Sequence, residues 1–433
     1  MTFPDFSTPG AGQDPESGPA HARVLSRAGG TSRVVALAVT AVLVLGVAGA
    51  WAAVARWGMN IDRASTSGLT NRPEKVIPDP SEGEPVNLLV MGSDSREGEN
   101  GNIGGTTSGG QRSDTTILLH VSADRSRIEA ISIPRDSTVE IPSCVTTGGE
   151  STAPSYGKFN GAFAIGASVG GDTASGALCA MQTVEALTGV YLDGFVVIDF
   201  QGFQRMIDAV GGVEICVEEE IYAPKANDLH LTAGLHTLDG STALDFARAR
   251  YGVGDGSDTS RIGRQQELLA SLVRTVFSAE TLADPAKTLR FVDAVTSSMT
   301  MDEQTARIDY LTGLAYSLRG LRPETVTFVT VPWGSDPYNS SNVVWTDEAA
   351  LLWENIQQDR PVGHDPAAAS TAPAAAEGEQ GDVAGTSAES GASDAPTTPA
   401  GENIDSTASA SADDVKEPGK EAFTGADTTA VCG

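Results

Sequence analysis

The chain has few basic residues. Its 433 residues include 28 lysines and arginines against 57 aspartates and glutamates, which gives a formal net charge of -29 at pH 7. Proteins that bind nucleic acids depend on basic side chains that neutralise backbone phosphates. The composition therefore argues against a nucleic-acid-binding role, and we expect no nucleic acid among the partners.

Cysteine is also scarce, with four in the chain: Cys144, Cys179, Cys216 and Cys432. None of them forms the CxxC pair that would favour a zinc site. Outside the membrane the four could form disulfides, and three complete pairings are open. We favour Cys144 with Cys179 and Cys216 with Cys432, while four buried free thiols are the alternative.

A long apolar run lies near the N-terminus. Residues 34–55, VVALAVTAVLVLGVAGAWAAVA, carry no charge and are numerous enough to cross a hydrocarbon layer of roughly 30 Å as a helix. Arginines precede the run within residues 1–33, which favours a cytoplasmic N-terminus and an outward-facing body. We predict a single-pass protein of the cell membrane. A cleaved signal peptide is the alternative, although its apolar core would normally be shorter.

Composition divides the rest of the chain into three parts. Residues 56–84 are polar and contain three prolines, which predicts an extended extracytoplasmic linker. Residues 85–362 contain strand-like runs at residues 86–91, 115–121, 128–133 and 195–200, and a helix-like run after Arg261 in which Leu268, Leu269 and Leu272 recur at helical spacing. This alternation predicts one α/β domain. Residues 363–433 are rich in alanine, serine, threonine and acids. They have too few large apolar side chains to offset the entropy of ordering, which predicts a disordered tail.

Arginines recur at spacings that suit phosphate. Arg248 and Arg250 are two residues apart, so on an extended segment both would project from one face and could bind a phosphate. Arg261 and Gln265 are four apart at a predicted helix start, where side chains share a face and anions are favoured. A solvated basic edge is the alternative reading of these residues.

Two aspartates lie in polar loops beside predicted strands. Asp94 belongs to GSDSR at residues 92–96, and Asp114 belongs to RSDT at residues 112–115. Carboxylates of this kind hold Mg²⁺ near phosphates, although aspartates also cap turns. An acid pair with several arginines, in a chain otherwise short of basic residues, predicts a Mg²⁺-pyrophosphate site.

Eight segments resemble the successive signatures of the LytR-CpsA-Psr family, in the same order. They are NLLVMGSDSR, RSDTTILLHV, ISIPRDSTVEIP, KFNGAFAIG, GFVVIDFQGF, DAVGGVEI, LDGSTALDFARAR and RIGRQQELL. The likeness covers residues 86–280 closely and extends to about residue 360, and the glycine- and alanine-rich composition hints at an actinobacterial source. It implies a three-layer α/β/α sandwich with a central mixed sheet, a hydrophobic polyprenyl-binding pocket and a charged mouth for pyrophosphate.

The resemblance also implies roles for individual residues. The catalytic set is Arg112, Asp114, Arg135 and Arg250, and Mg²⁺ would be held by Asp94 and Asp114. Phosphate oxygens would be held by Arg112, Arg135, Arg248, Arg250, Arg261, Gln265 and Lys158, with Asp136 as a weaker candidate. The lipid would contact Phe163, Phe195, Val197, Phe200, Phe203 and Met206, any of which could instead be ordinary core.

The implied activity is that of an extracytoplasmic, Mg²⁺-dependent phosphotransferase. It would move a glycan phosphate from a polyprenyl-pyrophosphate carrier to peptidoglycan or to a surface glycoprotein, as in the attachment of teichoic acid or arabinogalactan. The alternatives are a polyprenyl-pyrophosphate hydrolase and a non-catalytic protein that binds the lipid carrier. Residues 97–111 depart from the family pattern as a lengthened glycine-rich loop, which could gate the acceptor or be plain surface.

Overall fold

The computed structural model describes residues 56–66, 68–69, 72–79, 81–93, 111–253, 258–364, 415–430 and 432. Within these ranges no helix combines the length and the apolar character needed to cross a membrane. The predicted membrane segment at residues 34–55 lies outside the described residues. The predicted metal ligand Asp94 and almost all of the loop at residues 97–111 also lie outside them.

A mixed sheet forms the centre of the fold. The described strands are β1 (Asp62–Ala64), β2 (Val86–Ser93), β3 (Ser113–Val121), β4 (Ile128–Ser132), β5 (Thr138–Ile141), β6 (Ser155–Lys158), β7 (Gly194–Asp199), β8 (Val213–Val217), β9 (Ile221–Ala223), β10 (Leu229–Leu231), β11 (Gly234–Leu238), β12 (Met299–Asp302), β13 (Val326–Thr330), β14 (Trp333–Ser335), β15 (Val343–Trp345) and β16 (Phe423–Thr424). Eight of them make the central sheet, in the order β1-β12-β7-β2-β3-β4-β13-β16.

Both parallel and antiparallel pairs occur in this sheet. Strand β2 runs antiparallel to β3, with Val86 opposite Val121, and parallel to β7. Strand β4 is antiparallel to β3 and parallel to β13. Strands with a parallel neighbour are usually buried on both faces, and β2 and β4 are buried at most of their positions. The predicted central mixed sheet is confirmed.

Helices cover both faces of the sheet. They are α1 (Asn160–Gly170), α2 (Thr173–Thr188), α3 (Phe200–Val210), α4 (Gly240–Arg248), α5 (Asp258–Val276), α6 (Ala279–Ala283), α7 (Pro285–Thr296), α8 (Ile308–Ser317) and α9 (Asp347–Gln357). On one face, α1, α2 and α9 pack against Leu89, Met91 and Leu118. On the other face, α5 contributes Ala270 to a cluster with Ile117 and Phe328.

Two disulfides join distant parts of the chain. Cys144 is bonded to Cys179 in α2, and Cys216 in β8 is bonded to Cys432. The favoured pairing is therefore confirmed, and the described residues include no free cysteine. The second bridge links the C-terminal tail to the body.

The boundaries drawn from composition are wrong at both ends of the domain. Strand β1, placed in the linker, pairs in parallel with β12 at the edge of the sheet. In the same segment Arg72 forms a 2.5 Å ion pair with the buried Glu185. The described part of residues 56–84 therefore belongs to the folded body, because it supplies an edge strand and a counter-ion for a buried carboxylate.

Residues 415–430, assigned to a disordered tail, are also folded against the body. Strand β16 pairs with β13, and Phe423, only 1% exposed, stacks on Phe328 with the ring centroids 5.3 Å apart. Burial of one aromatic side chain stabilises a short segment by about 2–3 kcal/mol. The prediction of disorder rested on the average composition of residues 363–433, which does not reveal the effect of one buried aromatic residue.

Candidate functional site

A cavity of about 300 Å³ opens between the sheet and helices α3, α4 and α5. Its apolar wall consists of Val90, Met91, Ile117, Ile198, Phe200, Phe203, Leu244, Ala247, Leu268 and Leu269. Its polar groups are Asp114, Thr115, Asp199, Arg248, Arg250, Arg261 and Gln265. An apolar cavity with a few convergent charged groups is the usual form of a ligand site.

Strand β7 and helix α3 show how the sequence builds the apolar wall. Successive side chains of a strand point to opposite faces, so Ile198 faces the cavity while its neighbour Val197 faces away. Asp199 then ends the strand and caps α3 by accepting a hydrogen bond of 2.6 Å from the Gly202 N–H. The cap places Phe200 at the start of the helix, where it lines the cavity.

Four of the six residues predicted to contact lipid do not line this cavity. Phe163, Phe195 and Val197 are buried in the core on the opposite face of the sheet, and Met206 is 5% exposed but is not part of the lining. Only Phe200 and Phe203 line it. The sequence could not separate Phe195 and Val197 from the cavity-facing residues, because β7 is apolar on both faces and its sequence does not indicate which face meets the cavity.

A network of alternating charges lies at the cavity mouth. The Arg135 Nη1 donates a hydrogen bond of 2.6 Å to Asp114 Oδ1, and its Nε lies 2.8 Å from Asp258 Oδ1. Arg135 and Asp258 form an ion pair without a hydrogen bond, since the Arg135 Nε has no hydrogen-bond partner. Arg261 donates to Asp258 and, at 3.2 Å, to the Asp114 carbonyl oxygen. Two acids thus fix two arginines.

Burial and charge act against each other on the acids of this network. Burial raises the pKa of Asp114, but the charges of Arg135 and Arg261 outweigh it and leave that pKa below its usual range. Burial dominates at Asp258 and raises its pKa, although Arg261 and Arg135 oppose the shift. Burial also lowers the pKa of Arg261, whose side chain is 4% exposed. Asp114 is therefore the more firmly ionised of the two acids.

Arg248 and Arg250 both line the cavity, but not on the extended segment that was predicted. Arg248 is the last residue of α4, and its guanidinium lies 4.5 Å from the centroid of the Phe200 ring. Ala249 then leaves the helix with φ -58° and ψ 128°, and Arg250 follows as an exposed side chain. Gln265, one turn after Arg261 in α5, lines the same cavity and donates to the Ala247 carbonyl oxygen at 3.4 Å.

Three other predicted residues lie beside the cavity lining. Arg112 is exposed directly before β3. The Lys158 Nζ donates a hydrogen bond of 2.7 Å to Asp136, whose other oxygen lies 3.6 Å from Arg135 Nε. Asp136 and Lys158 therefore extend the charge network away from the cavity.

Asp258 is the site residue that sequence reasoning missed. It is the first residue of α5 and lies three positions before Arg261. Opposite charges at this spacing on a helix are neighbours, so the pair could have been found from the spacing of SDTSRIG. Asp199 was also missed, because an aspartate that caps a helix reads as a structural residue.

The carboxylate of Asp114 meets some of the requirements of a ligand for a hard cation such as Mg²⁺. Asp114 is ionised and its side chain is 35% exposed, while its Oδ1 already accepts from Arg135. The described ranges contain no group of three or more acidic, histidine or cysteine side chains placed to hold a metal. Mg²⁺ keeps several waters and shares phosphate oxygens, so the donors fit a shared ion better than an ion enclosed by protein.

Comparison with known proteins identifies relatives of this chain. The model of the LytR_cpsA_psr family matches residues 58–358. The probable cell wall biosynthesis protein LcpB of Corynebacterium glutamicum is 34% identical over 271 residues, covering 61% of this chain and 58% of LcpB. The teichoic acid transferase TagU of Oceanobacillus iheyensis is 30% identical over 233 residues, covering 53% of this chain and 64% of TagU. The chain thus spans under two thirds of these relatives.

Solved structures also match. The LytR-Csp2A-Psr enzyme from Actinomyces oris aligns with a TM-score of 0.49 at 21% identity, covering 69% of this chain and 94% of that one. The TagV protein of B. subtilis aligns with a TM-score of 0.48 at 22% identity, covering 64% of this chain and 98% of that one.

Proposed function

Because this chain belongs to the LytR-CpsA-Psr family, we propose that it transfers a glycan phosphate from a polyprenyl-pyrophosphate carrier to a hydroxyl group of a cell-envelope acceptor. One observation carries the proposal: Arg261, which is held by Asp258, lines an apolar cavity together with Arg248 and Arg250. A polyprenyl pyrophosphate has the same two parts, an apolar chain and a charged head. The apolar wall can pack against the polyprenyl chain, and the guanidinium groups can bind the phosphate oxygens.

The proposed reaction breaks the phosphoanhydride bond of the donor and forms a phosphoester bond to the acceptor. The acceptor oxygen attacks the phosphorus that carries the sugar, and the bond from that phosphorus to the bridging oxygen breaks. Polyprenyl phosphate leaves with the electron pair, the proton of the hydroxyl is released to solvent, and the glycan becomes phosphodiester-linked. Arg135 and Arg261 are held in place by Asp114 and Asp258, so they can stabilise charge on the phosphate oxygens without reorganising.

Mg²⁺ is proposed as the cofactor, with Asp114 and Asp94 as its ligands. The bound ion would add positive charge against the phosphate oxygens. The pKa of Asp114 lies below its usual range because Arg135 and Arg261 outweigh the effect of burial. A carboxylate of this kind suits a cation better than it suits the role of proton acceptor.

We place the body outside the cytoplasm, anchored by the apolar residues 34–55. The two disulfides support this location because such bonds persist in oxidising compartments. The proposed acceptor is peptidoglycan or a surface glycoprotein, both of which would be reached from that side of the membrane.

A reconstituted assay tests the activity. The full-length chain in detergent is incubated with Mg²⁺ and a short-chain polyprenyl-pyrophosphoryl sugar, with and without peptidoglycan oligomers, and both products are measured. We expect acceptor-dependent transfer that falls by about 100-fold in Arg250→Ala. Arg307→Ala is the control, since Arg307 is exposed and pairs with Asp309 on α8. Phosphate release without transfer would indicate a hydrolase, and lipid binding without turnover would indicate a carrier protein.

A further inference from the structure

A small hairpin beside the cavity mouth presents aromatic side chains to solvent. In strands β9 and β10 the residues Ile221, Ala223, Leu229 and Leu231 pack into a core cluster. Because side chains alternate along a strand, the intervening Tyr222 and His230 project outward as a cross-strand pair. Their rings meet edge to face at 5.8 Å, and Tyr222 remains 58% exposed.

The turn after α4 lies directly against this hairpin. Gly252 has a φ of +79°, and a Cβ placed on it would lie 1.9 Å from the Tyr222 carbonyl oxygen. The two backbones are therefore in contact, and only glycine fits between them. Tyr251 immediately precedes this glycine and immediately follows Arg250, which lines the cavity, so the backbone contact brings the segment that carries both residues against the hairpin.

Tyr251 is oriented by a cation. The Lys225 Nζ lies 4.1 Å from the centroid of its ring, and the side chain is still 61% exposed. A cation over one face of the ring restrains it and leaves the remainder accessible. Other exposed tyrosines, such as Tyr156, Tyr316 and Tyr338, do not follow a residue that lines the cavity.

We propose that Tyr251 and Tyr222 form a subsite for the sugar rings that directly follow the donor phosphate. A tyrosine ring is rigid and amphipathic, so it can pack against the C–H face of a sugar while its hydroxyl contacts sugar hydroxyls. A glycan whose phosphate is held at Arg250 begins one residue away from Tyr251. This inference rests on the proposed function and adds to it a subsite at which the protein recognises the glycan.

Binding of two ligands to the full-length chain tests the subsite: polyprenyl pyrophosphate without sugar, and the same lipid carrying an oligosaccharide. We expect wild type to bind the sugar-bearing lipid more tightly. Tyr251→Ala should lower the affinity for that ligand by about fivefold to tenfold and leave the affinity for the sugar-free ligand unchanged. Tyr251→Phe, which keeps the ring and loses only the hydroxyl, should bind the sugar-bearing lipid more tightly than Tyr251→Ala does, and Tyr222→Ala should show the same selectivity as Tyr251→Ala with a smaller effect.

Tyr316→Ala is the matched control, because Tyr316 is 67% exposed and carries Arg319 at 4.2 Å from its ring centroid, away from the cavity lining. It should bind both ligands like wild type. Equal loss of both ligands in Tyr251→Ala, or loss of neither, overturns the subsite. Wild-type binding that is indifferent to the sugar overturns the subsite alone, whereas absence of binding to either lipid overturns both the subsite and the proposed function.

Discussion

At the scale of single residues, Asp258 connects the buried Arg261 to the partly buried Arg135. It contacts Arg135 and Arg261, and without its charge those guanidinium groups would repel each other in a poorly solvated place. Arg135 would keep Asp114, and Arg261 would keep only the Asp114 carbonyl oxygen. The positions of both arginines therefore depend on Asp258, although Asp258 does not itself line the cavity.

Asp258→Asn should lower kcat/KM for transfer by about 10- to 100-fold, because the arginines lose their fixed positions. Steady-state kinetics measure this effect, and the melting temperature shows how much stability is lost with the buried partner. Asp309→Asn is the control, since its pairing with Arg307 is fully exposed and such pairs contribute little. An Asp258→Asn enzyme with unchanged kcat/KM would contradict the positioning role.

Glu267 in α5 should make stability depend on pH. Burial raises its pKa to about 7, although Arg274 and Arg264 oppose the shift. Because the folded pKa lies above the ordinary value, the folded state binds more protons between these two values. The contribution of Glu267 to the free energy of unfolding is therefore fully present below the ordinary pKa of glutamate, and it is lost as the pH rises through about 7.

Glu267→Gln should remove this dependence. Between about pH 5 and about pH 8, wild type should lose on the order of 1–3 kcal/mol of unfolding free energy relative to the variant. Denaturant unfolding at several pH values gives the comparison. A difference between wild type and variant that stays constant over that range would show that Glu267 titrates normally.

At the scale of elements, helix α5 joins the site to the C-terminal segment. Arg261 and Gln265 face the cavity, while the next residue, Gln266, accepts a hydrogen bond of 2.8 Å from the Gly419 N–H. A Cβ on Gly263 would lie 2.3 Å from the Pro418 carbonyl oxygen. The tail thus packs on the turn of helix that carries the phosphate-binding side chains.

Gly263→Ala should therefore destabilise the protein by about 1–3 kcal/mol, since the added methyl must displace backbone, and it should expose residues 415–430 to protease. Gly313→Ala in α8 is the matched substitution, because a Cβ there meets nothing within 4 Å. It should raise stability by up to about 1 kcal/mol. Thermal melts and limited proteolysis measure both variants, and a Gly263→Ala protein with wild-type stability and a protected tail would refute the packing.

The elements differ in how far their sequences determined them. The runs at residues 86–91, 115–121 and 128–133 coincide with β2, β3 and β4, because they are rich in the apolar and β-branched residues that strands favour. Leu268, Leu269 and Leu272 marked the amphipathic α5 by their helical spacing. Strand β7 could be found but not oriented, since both of its faces are apolar. The favoured Cys216–Cys432 bond indicated a link between the tail and the body, but the folding of residues 415–430 could not be found, since it depends on the single buried side chain of Phe423.

Part of the candidate site could also be grouped from the sequence. Arg248, Arg250, Arg261, Gln265 and Asp114 line one cavity, and the sequence singled them out because arginines are rare in this chain. Asp258 was missed since one acid among 57 carries no compositional signal. The apolar wall required knowledge of which strand faces meet α3, α4 and α5, and that knowledge comes only from tertiary packing.

At the scale of the whole molecule, the arginines at the cavity mouth are an exception in a strongly acidic protein. The chain carries a formal net charge of -29, so cationic groups that converge on a cavity are not a general property of its surface. Asp114 and Asp258 balance the charges of Arg135 and Arg261, while Arg248 and Arg250 add positive charge to the cavity lining. A ligand must therefore bring both an apolar part and a compact anionic part to match this place.

Photolabelling with a diazirine-tailed polyprenyl pyrophosphate shows whether this cavity holds the lipid of the donor. Mass spectrometry of the labelled full-length chain should place the label on Phe203, Leu244, Leu268 and adjoining residues of the lining. Unlabelled lipid pyrophosphate should compete for the label, and Arg261→Ala should reduce it. Label on Phe163, Phe195 or Val197 in the opposite core, or label that no competitor displaces, would contradict this placement of the lipid.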